Sequence, residues 1–175
     1  MTKAGQILID EMRRPCLIPV TVKVDGHLCP LEIYFGVRHP RRTSFLFEFM
    51  YGASGTKYSV IGLDPLLHLE VSDGVFKIKG RPDVVELAKK CYSGVRGDID
   101  FLNGIRGATL FKHIQVPTGS CVPYTLRMFG YIGYDFIRNF VKIGNTSIDD
   151  LGHPHLEFIL PEKIIIFDHF NEELL

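Results

Sequence analysis

Charge imbalance is the first thing this chain lacks: twenty Lys and Arg residues balance twenty Asp and Glu over 175 residues. No net field draws it to nucleic acid or to an anionic membrane surface. Its basic cluster, Arg38-His39-Pro40-Arg41-Arg42, has no interleaved aromatics and reads as a solvated loop. No apolar run approaches the length of a bilayer-spanning helix. The start, Met1-Thr2-Lys3-Ala4-Gly5-Gln6, leads into an acidic segment and not into the apolar core of a signal peptide. Cys16, Cys29, Cys91 and Cys121 form no CxxC pair, which argues against zinc and for reduced, buried thiols in a cytoplasmic protein. With no repeat, low-complexity tract or dividing linker, residues 1–175 are expected to form a single domain, long enough to bury a core.

What is there alternates mostly with period two. Residues 5–14 suit a short helix ended by Pro15, and Val20, Val22 and Val24 alternate as a strand closing on Asp25-Gly26. Pro30 suits the first turn of a helix through Leu31, Ile33, Tyr34 and Phe35 to about Val37. Phe45 to Tyr51 and Tyr58 to Gly62 read as a hairpin across a glycine-containing loop. A second hairpin is expected where Leu67, Leu69 and Val71 meet Phe76 and Ile78 across Asp73-Gly74, because both turn residues must accept positive φ. Pro82-Asp83 opens a helix with one apolar face through Val84, Val85, Leu87, Ala88 and Cys91. Residues 93–124 show no readable pattern. Beyond them lie a strand-like run at Arg127–Tyr134, a helix from Asp135 through Phe140, a loop from Asn145 to Pro154, and an apolar strand at Lys163–Phe167. Strands outnumbering helices, with few strand–helix–strand alternations, favour an α+β fold.

Single motifs have plain readings. Gly52 to Ser59 is not a P-loop, because its lysine follows Gly55 by two places. His153-Pro154-His155 lacks a third ligand at useful spacing and reads as solvated or locally hydrogen-bonded. Asp168-His169 reads as a structural pair capping a sheet, Asp135 and Arg138 as an ion pair at a helix start, and Gly130 and Gly133 as points of close backbone approach or a bulge. Glu48 and Lys57 read by themselves as a cross-strand surface pair.

Order and spacing say more than any one motif. Ile18-Pro19-Val20, Asp25 and Pro30 come first. Ser44-Phe45-Leu46-Phe47-Glu48, Lys57-Tyr58-Ser59-Val60-Ile61-Gly62 and Asp64-Pro65 follow, then Gly130-Tyr131-Ile132-Gly133-Tyr134-Asp135 with Arg138. Asp149-Asp150-Leu151-Gly152 and Ile164-Ile165-Ile166-Phe167-Asp168-His169 complete the set. Together they resemble the amino-terminal region of component I of anthranilate synthase, and of its paralogue, component I of aminodeoxychorismate synthase. The resemblance covers most of the chain apart from roughly residues 93–125.

The resemblance implies antiparallel sheets packed with helices, forming one part of a layered chorismate-utilising fold. It implies magnesium-dependent conversion of chorismate, with ammonia from a glutamine amidotransferase subunit, to anthranilate and pyruvate in the complete enzyme. In that family the reaction centre lies in a carboxy-terminal chorismate-binding half, which is expected as the partner here; this chain is expected to carry no catalytic or metal-binding residue and no cofactor of its own. The matching positions for the family's tryptophan pocket are Glu48, Phe49, Lys57, Tyr58 and Ser59. Phe49 stands where the family has serine, removing a hydroxyl partner and filling space the ligand needs, so tryptophan is expected to bind weakly. Leu126-Arg127 replaces the two glycines usual before the Gly-Tyr-x-Gly-Tyr-Asp element. The para-aminobenzoate branch, a stand-alone amino-acid-binding regulatory module and a truncated remnant are the alternatives. Self-association is expected through the Ile164–Phe167 strand and an exposed Leu174-Leu175 end.

Overall fold

A computed structural model describes residues 28–50, 56–72, 75–94, 97, 98, 100, 102, 127–144 and 149–174. The expected helix over 5–14, the strand over 20–24 and all of 103–126 lie outside the described residues, as do Cys16, Cys121 and the turn at Asp73-Gly74. The elements are α1 (Pro30–Val37), β1 (Ser44–Met50), β2 (Thr56–Ser72), β3 (Val75–Gly80), α2 (Pro82–Tyr92), β4 (Phe129–Ile132), a 3-10 helix (Tyr134–Asn139), β5 (Leu156–Asp168) and β6 (Glu173–Leu174). Among the described residues, hydrogen-bonded strand neighbours follow the order β1-β2-β5-β4, with β3 also on β2 and β6 on β5. The β1/β2, β2/β3 and β5/β6 pairings are antiparallel, so the architecture is α+β.

The chain divides into two compact units, and β2 and β5 each run on from one into the other. The first holds the described part of Val20–Leu66 together with Ile159–Leu175. Its core is Ile61, Phe167 and Leu174, against which Ile33, Tyr34, Leu46, Leu63 and Ile165 pack. Pro30 occupies the first turn of α1, and the helix lies against β1 while keeping Leu31 and Phe35 about half exposed. Ser59, Val60 and Ile61 are all fully buried, so β2 is covered on both faces here. Each buried aliphatic side chain contributes about 1.5–3 kcal/mol.

The second unit holds the described part of Leu67–Phe158. Leu67, Leu69 and Val71 are buried while His68 and Glu70 are half-buried, the period-two pattern of a strand with one apolar face. Val84, Ala88 and Tyr92 recur every fourth residue and form the buried stripe of α2, which packs on β3. Pro82 opens that helix, and Asp83 in its first turn accepts from the Arg81 guanidinium at 2.7 Å.

Four expectations need correction. The runs at 58–62 and 67–71 are one 17-residue strand, not two. Asp64 takes a positive φ of 49°, and Pro65 falls between Leu63, which ends the β1 pairing, and Leu67, which begins the β3 pairing; at that gap a missing N–H costs no bond to either strand. The segment after Asp135 is a 3-10 helix, because the Asp135–Arg138 pair at 2.8 Å and the Asn139 side-chain amide, donating to the Phe136 carbonyl at 3.0 Å, both favour three-residue spacing. Leu174, expected to be exposed, is buried in the first unit's core, and Ile166 and Phe167 are buried while Ile164 and Ile165 are half-buried. Cys29 is exposed and Cys91 half-buried, so burial does not explain both thiols.

Candidate functional site

The hairpin of β1 and β2 carries the pocket positions. Its register sets Glu48 opposite Ser59 and Phe49 opposite Tyr58. The register then shifts, and Met50 faces Thr56, which leaves Lys57 as the extra residue of a β-bulge. Glu48 therefore opposes a hydroxyl, and the cross-strand Glu48–Lys57 pair is replaced by Glu48–Ser59. The Lys57 side chain lies outside the described part of the structure.

Alternation divides the remaining four. Leu46 and Glu48 share the face of Ile61 and Ser59, whereas Phe45, Phe47 and Phe49 line the other, with ring centroids 5.1 and 6.5 Å apart in succession. Phe49 thus belongs to an aromatic row and is 39% exposed. The same row explains Gly62: the Phe45 ring lies across it, in the place a β-carbon would take.

On the opposite face the fully buried Ser59 hydroxyl lies 3.4 Å from Glu48 Oε1 and 2.8 Å from His169 Nε2. Its one hydrogen can go to Glu48 while His169 Nε2–H donates to Oγ. The His169 ring stacks on Phe167 at 6.4 Å. Serine, histidine and a carboxylate invite a hydrolase reading, but the order is wrong. The carboxylate touches the serine and not the second histidine nitrogen, and a buried hydroxyl cannot reach a substrate. The constellation instead presents exposed Glu48 and His169 on either side of a fixed hydroxyl, a small polar rim able to hold an ammonium or carboxylate group.

Asp168 does not pair with His169. Its Oδ1 accepts from the Phe170 and Asn171 amides at 3.0 and 3.1 Å and its Oδ2 from the Asn171 side chain at 2.8 Å, so it builds the turn into β6. The sequence signal for His169 was only its place one residue after a strand's end; its partner Ser59 is 110 positions away.

The second unit carries a polar cluster that sequence reading missed. His68 Nε2 lies 2.7 Å from Glu157 Oε1 and 3.7 Å from Glu70 Oε1, and Lys79 reaches Glu70 at 3.1 Å. Burial pushes the Glu70 carboxyl upward, but the Lys79 hydrogen bond and the charges of Lys79, His68 and Lys77 outweigh it and hold the group below the usual range. Burial, together with the Tyr131 hydrogen bond to Glu157, pushes the Tyr131 phenol up to about 12. His68 and Glu70 alternate with three buried aliphatics, the pattern that could have placed them on one face. Their partner Glu157 lies 89 residues from His68, beyond any local pattern.

Beside Tyr131 and Glu157 opens a cavity of about 480 Å³, also lined by Tyr134, Asp135, Asp149 and His155. The glycines shape it. A β-carbon on Gly130 would collide with the Glu157 carbonyl, and the Gly133 N–H donates to the His155 carbonyl at 2.7 Å. Asp149 accepts the Gly152 N–H at 2.8 Å with Gly152 at φ 59°, so the Asp149-Asp150-Leu151-Gly152 element is a turn. His155 bonds Asp98 at 2.8 Å. Among the described residues no three His, Cys, Asp or Glu side chains converge as a set of metal ligands.

No family model matches the chain. It is similar to anthranilate synthase component 1 of Thermus thermophilus, 27% identical over 146 residues, and to that of Acetivibrio thermocellus, 25% identical over 160 residues. It is also 28% identical over 163 residues to aminodeoxychorismate synthase component 1 of Bacillus subtilis. These alignments cover 83%, 90% and 93% of this chain but only 28%, 30% and 31% of the relatives, so the chain spans under a third of their length. A solved anthranilate synthase component I from Streptococcus pneumoniae superposes with a TM-score of 0.40 at 18% identity, covering 89% of this chain and 30% of that one.

Proposed function

We propose that this chain supplies the amino-terminal, non-catalytic part of an anthranilate synthase component I, acting in the cytoplasm in tryptophan synthesis from chorismate. The observation that carries the reading is continuity: the likeness to that component runs through 90% of the chain in one alignment, not through a single motif. The site chemistry is consistent with it. The hairpin offers a polar rim for an amino acid, with Glu48 and His169 on either side of the Ser59 hydroxyl. Chorismate turnover, magnesium and ammonia delivery by an amidotransferase subunit then belong to the complete enzyme.

The purified chain, incubated with chorismate, magnesium and ammonium, should give no anthranilate fluorescence above blank. Enzyme-dependent product would overturn the reading. The likeness to the Bacillus subtilis protein supports a second reading, the para-aminobenzoate branch. Mixing the chain with the carboxy-terminal region of each synthase separates the two, and anthranilate is the product expected.

A further inference from the structure

The basic segment between α1 and β1 is more organised than a solvated loop. It borders a cavity of about 330 Å³ lined by Tyr34, Arg38, His39, Arg42, Thr43 and Ser44, with no carboxylate among the lining residues. The donors there are held in place. The Arg38 guanidinium lies 4.6 Å from the centroid of the Phe35 ring, and its backbone N–H donates to the Tyr34 carbonyl at 2.9 Å. His39 Nδ1 accepts the Arg41 amide at 3.2 Å, which leaves the ring hydrogen on Nε2 as a second donor. Arg42 Nη1 lies 3.3 Å from Asp64 Oδ1, while Lys163 holds Oδ2 at 2.7 Å, so the trio keeps one net positive charge.

Opposing this is the carbonyl end of α1, equivalent to about half a negative charge. Arg38 and the net charge of the Arg42–Asp64–Lys163 trio outweigh it. We propose that this cavity binds a phosphate group, free or as a small phosphomonoester. The Arg38 fork, the Arg42 N–H groups not held by Asp64, the His39 Nε2–H and the hydroxyl side chains of Thr43 and Ser44 offer more donors than the two oxygens of a carboxylate can accept, whereas a tetrahedral dianion has acceptors for them. Fixed donors lose little freedom on binding. The cavity also has room for an ester group.

The test is a chemical-shift titration of the whole chain with inorganic phosphate, sodium chloride holding ionic strength constant. Saturable shifts should be confined to residues 38–44 and the Arg38 side chain. Arg38→Gln should weaken binding at least about tenfold, the worth of a charged hydrogen bond. Arg38→Lys should recover part of it, and Arg81→Gln, which removes the same charge elsewhere, should leave it unchanged. A parallel titration with glycerol phosphate identifies the source: tighter binding marks a phosphomonoester site, equal binding a site for free phosphate. Unsaturable shifts spread over all arginines, equal losses in Arg38→Gln and Arg81→Gln, or equally tight succinate binding would each overturn the proposal.

Discussion

At Gly130 and Gly62 the missing side chain is the structural content, and the two positions differ in what stands in the way. A methyl on Gly130 meets the Glu157 backbone carbonyl, which is fixed in a strand, whereas a methyl on Gly62 meets the tip of the Phe45 ring, which can swing. Overpacking of this kind costs about 1–3 kcal/mol. Gly130→Ala should therefore sit at or above the top of that range and Gly62→Ala near the bottom, read from urea midpoints of the two variants. Equal losses would show that β4 and β5 can part as easily as a ring rotates. For Gly130 the sequence left close backbone approach and a bulge both open, and the structure shows close approach. The atom it approaches was not legible in the sequence.

Among the elements, β2 depends on the kink at Asp64. The Lys163 hydrogen bond, aided by the charges of Lys163 and Arg42, holds the Asp64 carboxyl below its usual range. A folded-state pKa below the unfolded one means the stabilisation is complete above the unfolded value, about 3.9, and is lost as pH falls through the folded value. Asp64→Asn keeps a residue type that tolerates positive φ and removes only the charge. The midpoint difference between the parent and Asp64→Asn should be constant near neutral pH, shrink below about pH 4 and diminish in salt, because the pair is exposed. A difference that persists undiminished to pH 2 would mean that the charge is not what Asp64 contributes. Both hairpins were readable from alternation and from Asp73-Gly74; the fusion of two runs into one strand was not, because Asp64-Pro65 carries every local signal of a break.

On the scale of the whole chain, the described residues include an exposed apolar run that the sequence did not suggest. Phe140, Val141 and Ile143 are 65%, 51% and 44% exposed and consecutive or nearly so, whereas the apolar end of β5 and Leu174 are buried. An exposed run of this kind favours association. Sedimentation across a concentration series should show mass rising with concentration, and Phe140→Ser should reduce it. A strictly monomeric parent at every concentration would refute this. Tryptophan, titrated calorimetrically, should bind weakly; Phe49→Ser should raise affinity if the ligand uses the aromatic row, and Glu48→Gln should abolish binding if it uses the polar rim. Tight binding by the parent would mean that Phe49 does not obstruct the pocket.

Local chemistry determined much by itself: two proline-opened helices, two hairpins, an α+β class, and an ordered set of motifs resembling a synthase component. The helices, hairpins and fold class follow from periodicity and turn residues, which act between neighbours; the resemblance rests on the order of the motifs along the chain. The tertiary structure alone decided that Glu48 faces Ser59 and not Lys57, because a one-residue bulge shifts the register beyond it. It also decided that His169 bonds Ser59 and His68 bonds Glu157, and that a basic loop borders an open, donor-lined cavity. Those outcomes depend on which strands lie side by side, and that is set by burying Ile61, Phe167 and Leu174 together, residues that no local pattern connects.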